Sequence, residues 1–163
     1  IISRPDRISG DLASSEAAWM HAIEIIQRCG NIDLVFAPQV TSPLRETKDI
    51  NSAIEQMISS GSDSLLSTVE IEDFFIWRQR LNSEPESENY DYMNRKVRQK
   101  LEKKYLENGS FYIFKPKILK DNNNRLGGKV ILYKMERYKM FQIDNYEDIE
   151  LTAVIMKGYG LDA

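Results

Sequence analysis

The chain is nearly devoid of the residues that most often build reactive centres. Among its 163 residues there is one cysteine, Cys29, and one histidine, His21. A lone cysteine excludes an internal disulfide framework and fits a reducing compartment, so a cytoplasmic location is expected. Without a second histidine or a nearby cysteine, His21 reads as a hydrogen-bonding helix residue rather than a metal ligand or general base. No apolar run approaches bilayer length and the opening residues have no signal-peptide layout, so no membrane partner is expected. Charge of a single sign is lacking too. The 22 basic and 25 acidic residues are mixed along the chain for a net −3, which leaves no broad positive surface to hold a nucleic acid. An initiating methionine is missing as well, and Ile1-Ile2 running into Arg4-Pro5 reads as the end of a buried strand whose beginning has been cut away.

What is present argues for one folded domain over residues 1–163, since a 42% hydrophobic content suffices for a sizeable core. Ser14 or Ser15 caps a helix carrying Ala17, Ala18, Ala22, Ile23 and Ile26 on one face, stopped by Gly30. Residues 32–37 form a short apolar strand ended by Pro38, and a second helix begins near Thr47 and closes at Gly61. Residues 64–69 are a further strand, and 74–77 a strand or an interface segment. The polar stretch 82–89 is an exposed excursion within a dimerisation region spanning about 74–107. Asn108-Gly109 turns the chain into a strand over 110–114, residues 121–124 and Gly127-Gly128 mark a flexible connection, and 129–135 resume strand character. Asn145 and Asp148 have capping-box spacing before a last amphipathic helix. Strands alternating with helices predict an α/β fold with a mostly parallel, Rossmann-like sheet between helical layers, its ligand crevice beyond the C-terminal strand ends.

The stretch Gln39-Val40-Thr41-Ser42-Pro43-Leu44-Arg45 falls at such an end and gathers an amide, two hydroxyls and a guanidinium. Amide and hydroxyls recognise sugar hydroxyls, and arginine supports an anion. The same residues also make an ordinary capped loop with a surface arginine. The stretch resembles the Gln-Pro-Thr-Ser-Pro-Leu-Arg signature of the acylneuraminate cytidylyltransferase family, with Val40 in place of the usual proline. Further pieces follow the family order: Arg4-Pro5, Asp11-Leu12-Ala13-Ser14-Ser15, His21-Ala22, Arg98-Gln99, Asn108-Gly109-Ser110-Phe111-Tyr112-Ile113, and Ile143-Asp144 followed by Asp148.

The resemblance implies a three-layer nucleotidyltransferase fold whose first strand and basic nucleotide loop lie upstream of Ile1. It implies transfer of CMP from CTP to the anomeric hydroxyl of a sialic-acid-like nonulosonic acid, with release of pyrophosphate, by a homodimer using Mg2+. By the same resemblance Arg4, Ala13 and Ser15 face the nucleotide; Gln39, Arg98, Asn108 and Tyr112 face the sugar; and Asp144 binds the metal, with Asp144 and Arg98 serving catalysis. Gln142 departs from the family's Asp-Ile-Asp arrangement and offers no charge to a cation.

Plainer roles stand beside each assignment. Arg98 belongs to a basic run from Arg95 to Lys100, Asn108 is a turn residue, Tyr112 a packing aromatic, Ser15 a helix cap and Asp148 a capping carboxylate. A transferase for a shorter deoxy-octulosonic acid and a noncatalytic dimerising derivative of the fold are the rival readings.

Overall fold

The computed structural model describes residues 1–72 and 74–161, with the side chain of Arg98 outside the described set. A 3-10 turn at Asp6–Ile8 precedes helix α1 (Ser15–Ile26), strand β1 (Val35–Pro38), helix α2 (Thr47–Ser60) and strand β2 (Ser64–Ile71). Two short strands, β3 (Trp77–Arg78) and β4 (Glu86–Ser87), pair within the excursion that follows. Strand β5 (Lys104–Phe114), helix α3 (Pro116–Asn122), strand β6 (Val130–Met135), a 3-10 turn at Arg137–Met140 and helix α4 (Tyr146–Tyr159) complete the order.

The main sheet is ordered β1-β5-β2-β6, with β5 antiparallel to both β1 and β2 and only β2-β6 parallel. The expectation of a mostly parallel, Rossmann-like sheet is therefore overturned. Its cause lies in the segment after β2. A parallel partner requires a crossover back to the starting edge, commonly a helix. Residues 72–103 contain short strands and 3-10 turns but no α-helix among those described. The chain accordingly re-enters beside the point where it left, with Ile71 opposite Lys104, and runs back between β1 and β2. The β1-α2-β2 alternation set a common direction for those two strands without making them neighbours.

Alternation along the strands sorts the core into two halves. Phe111 and Ile113 of β5 pack with Leu65, Val69 and Met135 against Ala53 and Met57 of α2. Tyr112 and Phe114 point the other way, to Ala37, Ile23 of α1 and Leu119 of α3. The helix starts follow local chemistry: Ser14 accepts from the Ala17 N–H at α1, and Pro116 opens α3 where its missing N–H costs nothing. Asn145 and Asp148 form the reciprocal cap of α4, as their spacing predicts.

Two polar features shape the end of the sheet near β5. The first is Lys139, whose side chain is fully buried. Its ammonium lies 2.7 Å from Glu46, from Asp49 and from Glu136, joining the start of α2 to the turn after β6. The second is a bulge in β5: Leu66 faces Tyr112 and Thr68 faces Glu107, so residues 108–111 all oppose Ser67. The Ser67 hydroxyl accepts from the Phe111 N–H at 3.0 Å, and the buried Asn108 amide donates to the Lys139 carbonyl at 2.9 Å. Gly109 stands in the bulge at φ +64, a conformation that penalises any side chain.

Removing one member of a buried ion cluster strands the others, at a cost of about 3–5 kcal/mol. Lys139→Met is expected to lose that much in urea unfolding, whereas a loss of about 1 kcal/mol or less is the behaviour of a solvated pair. Burial alone raises the Glu136 carboxyl, but hydrogen bonds from Lys139 and Lys48 prevail and hold it at about 2, below the ordinary 4.5. A carboxyl depressed on folding stabilises above its unfolded value and loses that contribution as pH falls through the folded one. Acid should therefore erode stability between pH 4.5 and about 2, and Glu136→Gln should flatten that slope. For Gly109→Ala, the positive φ alone predicts destabilisation of more than about 1 kcal/mol in the same assay.

Candidate functional site

The loop that leaves β1 is fastened to β5 by Arg45. Its Nη1 donates to the carbonyls of Gln39 at 3.0 Å, Ser42 at 2.7 Å and Ser110 at 3.2 Å. This guanidinium organises the loop, a use that sequence reading of the motif did not separate from anion binding. The backbone continues the ladder, with Gln39 N–H donating to Ser110 O at 3.1 Å and Ile143 N–H to Thr41 O at 2.7 Å. Segments near residues 39, 109 and 142 thereby meet.

Their side chains converge on Gly109. A Cβ there would stand 2.8 Å from the Gln39 amide, 3.1 Å from Gln142 Oε1 and 3.2 Å from Ser42 Oγ. In the orientation its neighbours require, the Gln39 amide donates to Gly109 O at 2.9 Å and accepts from Arg125 Nη1 at 3.3 Å. The Ser42 and Ser110 hydroxyls are buried with no hydrogen-bond partner among the described residues. Buried hydroxyls are seldom left so, and they mark a place where further hydrogen bonds can be made.

Arg125 went unrecognised in the sequence, where the residues on either side of it were read only as a flexible connection. Its Cζ lies over the ring of Trp19 at 4.7 Å and over that of Tyr112 at 4.5 Å, and its Nε donates to Glu16 at 2.8 Å. Glu16 and Trp19 share one face of α1, three residues apart. That spacing was visible; its partner more than a hundred residues away was not.

The other expected site residues are dispersed. Asn108 is buried, with its amide held by Lys139 O, Met135 Sδ and the Ser110 N–H. Tyr112 is nearly buried, and its hydroxyl donates to Glu107; burial, aided by that bond, pushes its pKa up to about 12. Arg4 and Ser15 are exposed, and Ala13, half-buried, donates its N–H to Gly10 O at 2.9 Å in the entry to α1. Ser14 takes the cap, so Ser15 is not needed for it. The Arg98 backbone lies in a 3-10 turn, Arg98–Lys100, and its side chain is outside the described residues. His21 Nε2 lies 3.3 Å from Ser3 O.

Asp144 is exposed, and no described side chain pairs with its carboxylate; its N–H donates to Asp148 at 2.9 Å, while Asp148 is committed to the α4 cap. A free carboxylate suits a hard cation. A second acidic group, Glu46, Asp49 and Glu136, brings three carboxylate oxygens within 4.8 Å of one another, a donor set able to hold a divalent ion. The Lys139 ammonium already lies among them, so a metal there would have to displace a buried cation.

No protein-family model matches the chain. Two curated proteins do, both named pseudaminic acid cytidylyltransferase and both from Campylobacter jejuni strains. They are 29% and 28% identical over 156 residues, covering 94% of this chain and 67% of each relative. The chain is thus a distant relative of pseudaminic acid cytidylyltransferase, a nonulosonic-acid CMP-transferase.

Proposed function

We propose that the protein is a cytidylyltransferase that joins CMP to a nonulosonic acid. The anomeric hydroxyl of the sugar attacks the α-phosphorus of CTP, the bond to the β-phosphate oxygen breaks, and pyrophosphate leaves with the electron pair as the hydroxyl proton passes to solvent or base. The observation that supports this reading best is the meeting of Gln39, Gly109 and Gln142 beside the unpartnered Ser42 hydroxyl. Two separated pieces of the resembled motif, joined by Gln142 where the chain departs from it, contribute to one polar place at the end of β1, where a sugar's hydroxyls would find both donors and acceptors. Arg4, Ala13 and Ser15, at the entry to α1, are proposed to face the nucleotide, and Arg98 to meet the sugar carboxylate.

Asp144 is the residue proposed to hold magnesium, since its carboxylate is exposed and free of side-chain partners among the described residues. The ion would supply charge compensation for the phosphates. Gln142 brings a neutral amide where a second carboxylate would bind more strongly. That neutrality also favours a second reading, a noncatalytic protein built on the same fold.

The proposed homodimer draws on the excursion between β2 and β5. Ile76, Trp77, Leu81, Met93 and Val97 are exposed there, around a ring cluster of Phe75, Trp77, Tyr90 and Tyr92. So much exposed apolar surface in one region is typical of an interface.

The full-length protein, given CTP, magnesium and pseudaminic, legionaminic or N-acetylneuraminic acid, should form a CMP-sugar and pyrophosphate. No product with any acidic nine-carbon sugar, despite a folded protein, would decide for the noncatalytic reading; turnover of deoxy-octulosonic acid alone would shift the substrate class. Gln142→Asp should lower the magnesium needed for half-maximal turnover and Asp144→Asn should raise it. Unchanged titrations in both would remove this segment from the metal site. Light scattering at several concentrations should give twice the protomer mass, and Trp77→Glu should shift it toward the monomer.

A further inference from the structure

An amide side chain presents different chemistry to a ligand according to which way it is turned. Rotating it by half a turn exchanges a two-hydrogen donor for a two-lone-pair acceptor, with little change in shape. Gln39 is turned by two neighbours of opposite character. The Gly109 carbonyl can only accept, and it takes a hydrogen from Nε2 at 2.9 Å; Arg125 can only donate, and its Nη1 lies 3.3 Å from Oε1. One Nε2 hydrogen and one Oε1 lone pair are left for a ligand, in fixed places.

Arg125 is itself held on three sides. Its Nε donates to Glu16 at 2.8 Å, with both side chains largely buried, and its Cζ lies over the Trp19 ring, 4.7 Å from the ring centre, and over the Tyr112 ring, 4.5 Å from its centre. The two ring contacts and the Glu16 carboxylate restrain the guanidinium, and the pair with Glu16 carries no net charge. A guanidinium so neutralised is poorly suited to capture the sugar carboxylate. It is well suited to hold a neutral amide. Gly109 leaves the room that the amide occupies, because a Cβ at that position would collide with the Gln39 amide at 2.8 Å.

We infer that Arg125 is a positioning residue, which with Glu16, Trp19 and Tyr112 locks the Gln39 amide in the one orientation that reads the substrate's hydroxyl groups. The inference rests on the proposed sugar-binding role of Gln39. Its readout is a binding term for the sugar, distinct from nucleotide binding and from folding.

The test uses the full-length protein and Arg125→Met, whose apolar stem keeps the space over the rings filled. Losing a charge-assisted hydrogen bond should raise the sugar KM about tenfold, with the CTP KM unchanged. The double variant with Gln39→Ala should behave like Gln39→Ala alone, because an effect transmitted through Gln39 vanishes when Gln39 is gone. An additive double variant, an equal rise in both KM values, or no change would overturn the inference. A second measurement does not need turnover. In the wild type the two Gln39 side-chain amide protons should be well separated by nuclear magnetic resonance and slow to exchange; Arg125→Met should bring them toward the values of a free glutamine. Unchanged amide signals would overturn the positioning role by themselves. A wild type that activates no sugar would sink the proposed function while the amide signals still decide the orientation. Should Arg125→Met fail to fold, Glu16→Gln, which keeps the shape and weakens the clamp, should move the same readouts in the same direction.

Discussion

The fully buried ammonium of Lys139 governs the end of the molecule on which the candidate site depends. It is surrounded at 2.7 Å by carboxylates from the entry of α2 and from its own turn. Two charged hydrogen bonds and a third ion pair offset the cost of taking a lysine out of water, and they restrain the turn that carries its backbone carbonyl. The Asn108 amide donates to that carbonyl and so holds the bulge that displaces Gly109 from the ladder. The ion cluster, the bulge and the polar convergence at Gly109 are consecutive links, the first electrostatic, the second conformational and the third chemical.

The same chain of links separates two kinds of polar residue that a motif places side by side. Arg45 and Asn108 belong to the resembled segments, yet their hydrogen-bonding groups are turned inward, onto the Gln39, Ser42 and Ser110 carbonyls and onto the Lys139 turn. Gln39 and Gln142, half-buried, face a common space. A motif of this sort therefore records the residues that build a loop along with those that use it, and only the hydrogen-bond partners tell them apart.

Much of the local structure was legible in the chain. The period of α2 with Gly61 at its end, the Asn145 and Asp148 cap, and the apolar strands all have short-range causes. The strand order does not. Nothing near Val35 or Ser64 states that residues 104–114 will run between them, and only the lack of a helical period over 72–103 hinted at an antiparallel return. The site was legible to the same limit. Gln39 stood out because its neighbours in sequence were informative. Arg125 did not, because everything that defines it, Glu16, Trp19, Tyr112 and Gln39, is remote along the chain.

The placement of β5 has a consequence for how the protein is made. Strands β1 and β2 leave the ribosome well before residues 104–114, the strand that each of them pairs with. At ordinary elongation rates of about 5–20 residues per second, the nascent chain carries two apolar strands with open edges for an interval on the order of seconds. During that interval the partner that closes both edges has not yet been synthesised. Synthesis of this one strand then covers the facing edges of β1 and β2 and brings Gly109 to Gln39, whereas the second edge of β2 waits for β6 and the polar site for Arg125 and Gln142, so the nascent chain closes in two steps.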